Sequence, residues 1–276
     1  MRETRVKKIL LAAGIVFMVG FCVAPFAWML LVSVARNPDF LSAGSRLALT
    51  PANYVDVLTV KSLHFLEYLR NSLVISGIVG VAASLAAALA AYAVSRIEFR
   101  GRLAMSLAIL AFSMFPQISL VGYLYKFMRT TGLTNTYAAL VLPYIAWTLP
   151  LAFWILLGYI GQIPRDFDDA ARVDGAGRLT VFRKVIVPIS APGLLSALLL
   201  VFIAAFNEFL FALMLTTDHH ARTIPVGIAL FEGLHGEIPW GYIMAASALA
   251  SLPLVILASV FQRYVIQDVT RGAIKG

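Results

Sequence analysis

Several things are scarce in this 276-residue sequence. It has one cysteine, Cys22, which permits no internal disulfide and no cysteine-based zinc cluster. Charged residues make up only 13%, against roughly a quarter in ordinary soluble domains. That shortage excludes a typical soluble globular protein, a disordered chain and a disulfide-stapled secreted module. No Gly-x-x-x-x-Gly-Lys-Ser/Thr occurs, so the chain lacks a phosphate-binding loop of its own. Gly175-Ala176-Gly177 lacks the third glycine and the preceding strand of a dinucleotide loop. No His-Glu-x-x-His is present, and the acidic cluster Asp166 to Asp174 is interspersed with alanine and arginine rather than spaced for catalysis. His219 and His220 are adjacent, without an acidic or cysteine partner at metal spacing, and read as surface residues. No metal site and no catalytic residue is expected.

What the sequence does have is apolar length, at 61% hydrophobic. A bilayer core ~30 Å thick needs about 20 apolar residues of helix. Six runs qualify: Ile9 to Ala35, Asn71 to Ser95, Leu103 to Tyr125, Thr136 to Gln162, Gly193 to Thr217 and Ile238 to Gln262. The sequence predicts an all-α membrane protein with six transmembrane helices. The first run is too long for a signal-peptide core of ~7–15 residues, and Phe21 before Cys22 is too bulky for a lipoprotein site. An uncleaved first helix is expected.

Basic residues set the orientation. Of the 22 Lys and Arg, 15 fall on the N-terminal tail, the loops after spans two and four, and the C-terminal tail. The other seven are spread over the opposite side. Both termini are therefore expected on the cytoplasmic side. The net charge of +8 is explained by topology, without a nucleic-acid partner.

Within the spans, span two is rich in small residues from Gly77 to Ala93, which favours close helix packing in a bundle interior. Pro25, Pro116, Pro143, Pro150 and Pro253 mark kinks, which either line a pathway or are structural only. Glu208, beside Asn207, is the one charge inside a span. Intramembrane carboxylates face a partner or water, so Glu208 is either a lining or gating residue or a structural pair. Phe115, Tyr123, Tyr125 and Trp147 could stack on sugar rings, as could many membrane aromatics.

The segment from Ile163 to Pro192 concentrates charge of both signs. Asp166 reads as the N-cap of a short helix, with Asp169 three positions on, near a capping box. Asp168 and Asp169 also suit the positive end of the helix dipole. Gly175 reads as a left-handed C-cap. Arg178 to Ile186 forms a second helical stretch with Leu179, Phe182 and Ile186 on one face. Ala170 and Ala171 leave a flat face, suited either to docking a partner or to a solvated amphipathic loop.

Asp169-Ala170-Ala171-x-x-Asp174-Gly175-Ala176, followed by Phe182, Ile186-x-Pro188 and Pro192, resembles the EAA loop of ABC importer permeases. Asp169 stands where that pattern has Glu, and Val187 precedes Pro188 where it favours Leu. Thr50-Pro51-x-Asn53-Tyr54, Asn71-Ser72-Leu73, Phe115-Pro116-Gln117, Asn207-Glu208-Phe209 and Gly272-Ala273-Ile274-Lys275-Gly276 resemble carbohydrate-uptake permeases, extending the likeness over almost the whole chain. The sequence is identified as similar to the second membrane subunit of maltose/trehalose-type importers.

The resemblance implies a type I ABC importer transmembrane domain that carries sugar and is not an enzyme. Residues 1–66 would be the N-terminal tail, first helix and outer loop. Residues 67–266 would be the permease core with its coupling loop at 163–192, and 267–276 a cytoplasmic tail. Asp166, Asp169, Ala170, Ala171, Asp174 and Gly175 would couple to an ATP-binding subunit. Arg271, Gly272, Lys275 and Gly276 would touch the ATP-binding subunits. Phe115, Gln117, Asn207 and Glu208 would lie along the pathway. In the outer loop from Asp218 to Pro239, Gly233, Leu234, His235 and Gly236 would reach an extracytoplasmic sugar-binding protein, unless that loop is merely solvated. The implied partners are a second, homologous permease, two ATP-binding subunits holding ATP and Mg, the binding protein and membrane lipid. The implied location is a bacterial or archaeal cytoplasmic membrane. Another solute such as glycerol-3-phosphate stays open. An ion-coupled secondary transporter is disfavoured because it would need several buried ionisable groups and internal repeats.

Overall fold

A computed structural model describes the backbone of residues 2–36, 49–231 and 238–273, and the side chains of 7–8, 10–36, 49–231 and 238–261. Among these residues the chain is helical, with one isolated bridge between Ala35 and Leu49. The long helices are α1 (Arg2–Ser33), α3 (Phe65–Arg96), α6 (Tyr137–Gly161) and α13 (Trp240–Ala273), with the short α2 (Ala52–Thr59) between the first two. Between α3 and α6 lie α4 (Arg102–Ser113) and α5 (Gln117–Thr130). After α6 come α7 (Asp166–Val173), α8 (Arg178–Val181), a π turn at Phe182–Ile186 and α9 (Val187–Ile189). α10 (Ala191–Phe206), α11 (Leu210–Leu215) and α12 (Ile224–Ala229) precede α13.

Among the described residues, four helices are long and apolar enough to cross a membrane, and up to six spans result if each of two bent pairs counts as one. The apolar runs of spans one, two, four and six each become one helix. Spans three and five do not. α4 and α5 meet at 89° across Met114–Pro116. Pro116 has no amide proton and adopts extended backbone, φ −71° and ψ 127°, so the ladder cannot run through it. In span five, helix stops at Phe206 and restarts at Leu210, with Asn207 to Phe209 between. The preceding segment, Arg178–Ile189, is bent by 79° against α10. Pro25, Pro143, Pro150 and Pro253 stay inside continuous helices.

The chain divides into two compact units, residues 1–65 with 228–252 and residues 66–227 with 253–276. In the first, Asn53 is the organising side chain. Its Nδ2 donates to the carbonyls of Ser33 at 2.8 Å and Ala35 at 3.0 Å, satisfying acceptors that the end of α1 leaves open. The Tyr54 hydroxyl meets Ser33 Oγ at 2.7 Å. A Cβ on Gly241 would lie 2.7 Å from Asn53 Nδ2, so glycine is needed for that approach. Thus Asn53 and Tyr54, part of a motif with no mechanism visible in sequence, tie α2 to the end of α1.

The second unit is the core. Along α3, Ile75, Val79, Ala83, Ala87 and Ala91 recur every fourth residue and are fully buried. α10 approaches α3 closely at Gly80, where a Cβ would sit 3.4 Å from the Leu198 carbonyl. The opposite face of α3 carries exposed Val74, Ile78, Val81, Leu85 and Leu89. The small-residue helix is therefore packed on one side only. On α6, Leu140, Tyr144, Phe153, Leu156 and Ile160 are fully buried. Thr136 opens α6, its Oγ1 accepting from Ala139 N at 3.3 Å. Asn71 and Ser72, both buried, pin the segment after α11. Asn71 Nδ2 donates to His219 O and Arg222 O, and Ser72 Oγ accepts from Ile224 N at 2.8 Å.

Candidate functional site

The charged inner segment folds as expected in outline. α7 spans Asp166–Val173 with Asp166, Asp168 and Asp169 in its first turn, where unpaired backbone N–H groups favour negative charge. Arg165, not Asp166, occupies the cap position, and no side chain accepts a cap hydrogen bond there. Arg165 is already αR, so Asp166 falls inside the helix, one position too late to cap it. The far end matches the sequence reading. Gly175 has φ +82°, its N–H donates to Arg172 O at 2.9 Å, and Ala176 N donates to Ala171 O at 3.0 Å. That pair of bonds is the Schellman stop, which requires a left-handed residue at Gly175.

The two faces of α7 differ. Asp166, Phe167, Asp169, Ala170 and Val173 are exposed, with Val173 at 88%. Asp174 and Gly175 are exposed beside them, whereas Ala171 is half-buried. Phe167, Ala170 and Val173 recur every third residue, so an apolar strip lies next to the carboxylate of Asp169. Asp168 points the other way and is 3% exposed. The second stretch departs from expectation. Phe182 and Ile186 are buried, but Leu179 is 63% exposed and Val181 takes the inward position. The π turn at Phe182–Ile186 changes the winding, so the predicted 3.6-residue face does not hold across it.

Beneath α7 lies a junction that local sequence signals do not reveal. Arg96, the last residue of α3, places Nε 3.4 Å from Asp168 Oδ2, with both side chains 5% exposed. Its Nη2 also donates to Ile160 O at 3.2 Å and Ile163 O at 2.6 Å, at the end of α6. One turn earlier on α3, the Tyr92 ring lies 5.2 Å from that of Phe182, and its hydroxyl donates to Arg178 O at 3.5 Å. Composition marks Arg96 only as one more inside charge and Asp168 only as a dipole residue. The usable signal was that Asp168 lies on the face of α7 opposite Ala170, which carries meaning only once a core is placed there.

Of the pathway candidates, Phe115 and Gln117 come together. They line a cavity of about 320 Å³ with Phe112, Tyr123, Trp147 and Phe211, at the bend between α4 and α5. Asn207 and Glu208 do not line it. They build the break between α10 and α11. Asn207 Nδ2 donates to Ile203 O at 2.8 Å, closing α10. The Glu208 carboxylate accepts from Phe211 N at 2.8 Å and Ala212 N at 3.2 Å, opening α11. Glu208 is 4% exposed, so its charge is spent on backbone N–H groups. The link to the cavity is Phe211, which Glu208 holds.

Gly233, Leu234, His235 and Gly236 lie outside the described residues, as do Lys275 and Gly276. Arg271 and Gly272 belong to the last turn of α13. His219 and His220 have the acidic neighbours that the sequence reading denied them. His219 Nε2 lies 3.8 Å from Glu67 Oε2, and His220 Nδ1 lies 2.9 Å from Asp218 Oδ1. The Asn135 amide, first among several hydrogen bonds, holds the Asp218 carboxyl well below the usual carboxylate range.

Residues 80–271 match the family described as binding-protein-dependent transport system inner membrane component. The chain belongs to this family. The permease is 56% identical, over the full length of both chains, to the trehalose/maltose transport system permease protein MalG of Thermococcus litoralis. It is 40% identical to the trehalose transport system permease protein SugB of Mycobacterium tuberculosis, covering 94% of each. In structure it resembles a chain of a bacterial ABC transporter involved in the import of the acidic polysaccharide alginate. There the TM-score is 0.77 at 22% identity, covering 96% of the permease and 98% of that chain. The permease thus has the all-helical type I ABC importer fold, and it is a membrane transport subunit rather than an enzyme.

Proposed function

We propose that the permease forms half of the translocation pathway of an ATP-driven, binding-protein-dependent sugar importer of the trehalose/maltose type. The observation that carries this is its 56% identity, from end to end, with a trehalose/maltose permease. The same reading assigns it a cytoplasmic membrane, a second, similar permease, two ATP-binding subunits and an extracytoplasmic sugar-binding protein. Both termini and α7 would lie on the cytoplasmic side, in keeping with the charge asymmetry. Residues 67–266 would be the permease core and 163–192 its coupling loop, with 1–66 and 267–276 flanking it.

In this reading α7 docks on an ATP-binding subunit. The strip of Phe167, Ala170 and Val173 supplies apolar contact and close approach. Asp169 and Asp166 supply charge, and Asp174 and Gly175 set the turn that orients the helix. Arg271, Gly272, Lys275 and Gly276 would contact the same subunits, and Gly233, Leu234, His235 and Gly236 the binding protein. Phe115 and Gln117 face the pathway from the cavity at the α4–α5 bend. Asn207 and Glu208 shape it by breaking the span. A two-state mechanism follows: nucleotide binding favours one position of α7, and the helices packed on it respond.

The test is uptake of labelled trehalose and maltose by vesicles containing the assembled complex and its binding protein. ATP-dependent uptake that stops when either Asp169 or Gly175 is replaced supports the reading. Sugar-independent hydrolysis with no uptake of either sugar sinks the substrate assignment. Uptake driven by an ion gradient without ATP sinks the importer class.

A further inference from the structure

We infer that Arg96 and Asp168 form the link through which the movement of α7 reaches α3. The inference rests on α7 being the coupling helix. Covalently, α7 is joined to α6 through residues 162–165 and to α8 through the Gly175 turn. Neither connection reaches α3, the helix whose Ile75-to-Ala91 stripe packs the centre of the second unit. Polar and ring contacts of α3 with this loop come from two residues one turn apart, Tyr92 on the second stretch and Arg96 on α7. Residues four apart share one helix face, so both contacts leave α3 on the same side.

Arg96 is suited to join elements. One guanidinium nitrogen donates to two carbonyls at the end of α6, while Nε faces the Asp168 carboxylate. The planar fork makes these contacts at once, which a lysine ammonium on its flexible stem does not reproduce. Three helices, α3, α6 and α7, therefore meet at one side chain. The carboxylate is buried, neither of its oxygens has a hydrogen-bond partner, and it faces the guanidinium as an ion pair. Arg96 is the cation that faces it, so a displacement of α7 that carries Asp168 away from Arg96 leaves two buried charges apart. Separation of such charges in a low-dielectric interior is strongly disfavoured. The pair thus makes α3 follow α7. Asp168 lies on the face of α7 opposite Ala170, so it leaves the exposed strip free for a partner. Arg96 and Asp168 are positioning residues that act through α7.

The experiment is Asp168→Asn in the complete reconstituted complex, with binding-protein-stimulated ATP hydrolysis and sugar uptake measured together. The expected result is uptake lowered about tenfold while hydrolysis stays within about twofold, with Asp168→Glu restoring most of the uptake. A wild-type ratio of uptake to hydrolysis in Asp168→Asn overturns the inference, as does an equal loss of both. Should that variant fail to assemble, Arg96→Met combined with Asp168→Leu removes both buried charges and is judged by the same ratio. Asp169→Ala serves as the companion. If Asp169→Ala uncouples the complex and Asp168→Asn does not, the link is wrong and the coupling-helix reading stands. If neither affects coupling, the coupling-helix reading itself fails.

Discussion

Asp168 and Glu208 are the buried carboxylates among the described residues, 3% and 4% exposed, and they are stabilised in opposite ways. Glu208 stays local. Its oxygens accept from Phe211 and Ala212, three and four residues on, and supply acceptors to N–H groups that the start of α11 leaves open. Asp168 reaches across the sequence to Arg96 and has no other partner. A locally capped charge travels with its own helix and shapes one break. A charge paired across elements constrains how two helices move together. The contrast separates a residue that breaks a span from one that ties the ends of separate helices together.

The sharpest way to break this contrast is to strand the distant pair. Arg96→Ala leaves the Asp168 carboxylate buried and alone and removes a donor from the Ile160 and Ile163 carbonyls. A loss of about 3–5 kcal/mol is expected, read as a large drop in the unfolding temperature of the purified complex or as failed assembly. Replacing Glu208 by Ala should cost less, about 1–3 kcal/mol, since two N–H groups lose acceptors within a single turn. Glu208→Gln keeps an acceptor and should fall between Ala and wild type in the same melting experiment. If Glu208→Ala destabilises more than Arg96→Ala, the local-versus-distant distinction is mistaken.

Gly175→Ala comes next. At φ +82° a Cβ is strained, so about 1 kcal/mol is expected, with the change in hydrogen exchange confined to residues 170–178. Val173→Asp should alter the stability of the permease by no more than about 0.5 kcal/mol, because the side chain is exposed. It should still weaken association with the ATP-binding subunit in a pull-down. An unchanged association would remove Val173 from the docking strip. The smallest effect concerns Asp218. Its depressed pKa means that its contribution is present above the usual carboxylate pKa of about 4 and is lost as pH falls through the lower folded value. Asn135→Ala should move that loss to higher pH, detected as earlier acid-induced proteolysis of the 216–222 loop.

Legibility varied with the range of the interaction. The helices of four spans could be read from apolar run length, since hydrocarbon thickness and helix rise leave little freedom. The Gly175 stop was readable because a left-handed residue is needed wherever a Schellman turn ends a helix. The break at Pro116 was readable as a kink, but the 89° angle came from packing. The break at Glu208 was harder. A carboxylate in an apolar run announces that it needs partners, without saying that the nearest backbone supplies them. The Asp166 cap failed by one residue, since Arg165 already adopts helical backbone before it. The Leu179 face failed because a π turn changed the winding after Val181.

By itself the sequence determined what depends on neighbours: which segments are apolar enough to be helices in lipid, where glycine must end one, and which loops hold the charge. Family membership also lay in the sequence, carried by the spacing from Asp169 to Pro192. Tertiary structure alone decided which of the loop's carboxylates turns inward. Asp166, Asp168 and Asp169 are chemically alike and sit within one turn. Asp168 is selected because α3 ends beneath it with a guanidinium already anchored on the end of α6. Nothing within a few residues of Asp168 encodes the position of Arg96, 72 positions earlier. That pairing exists only once the buried stripe of α3 has packed and brought the two ends together.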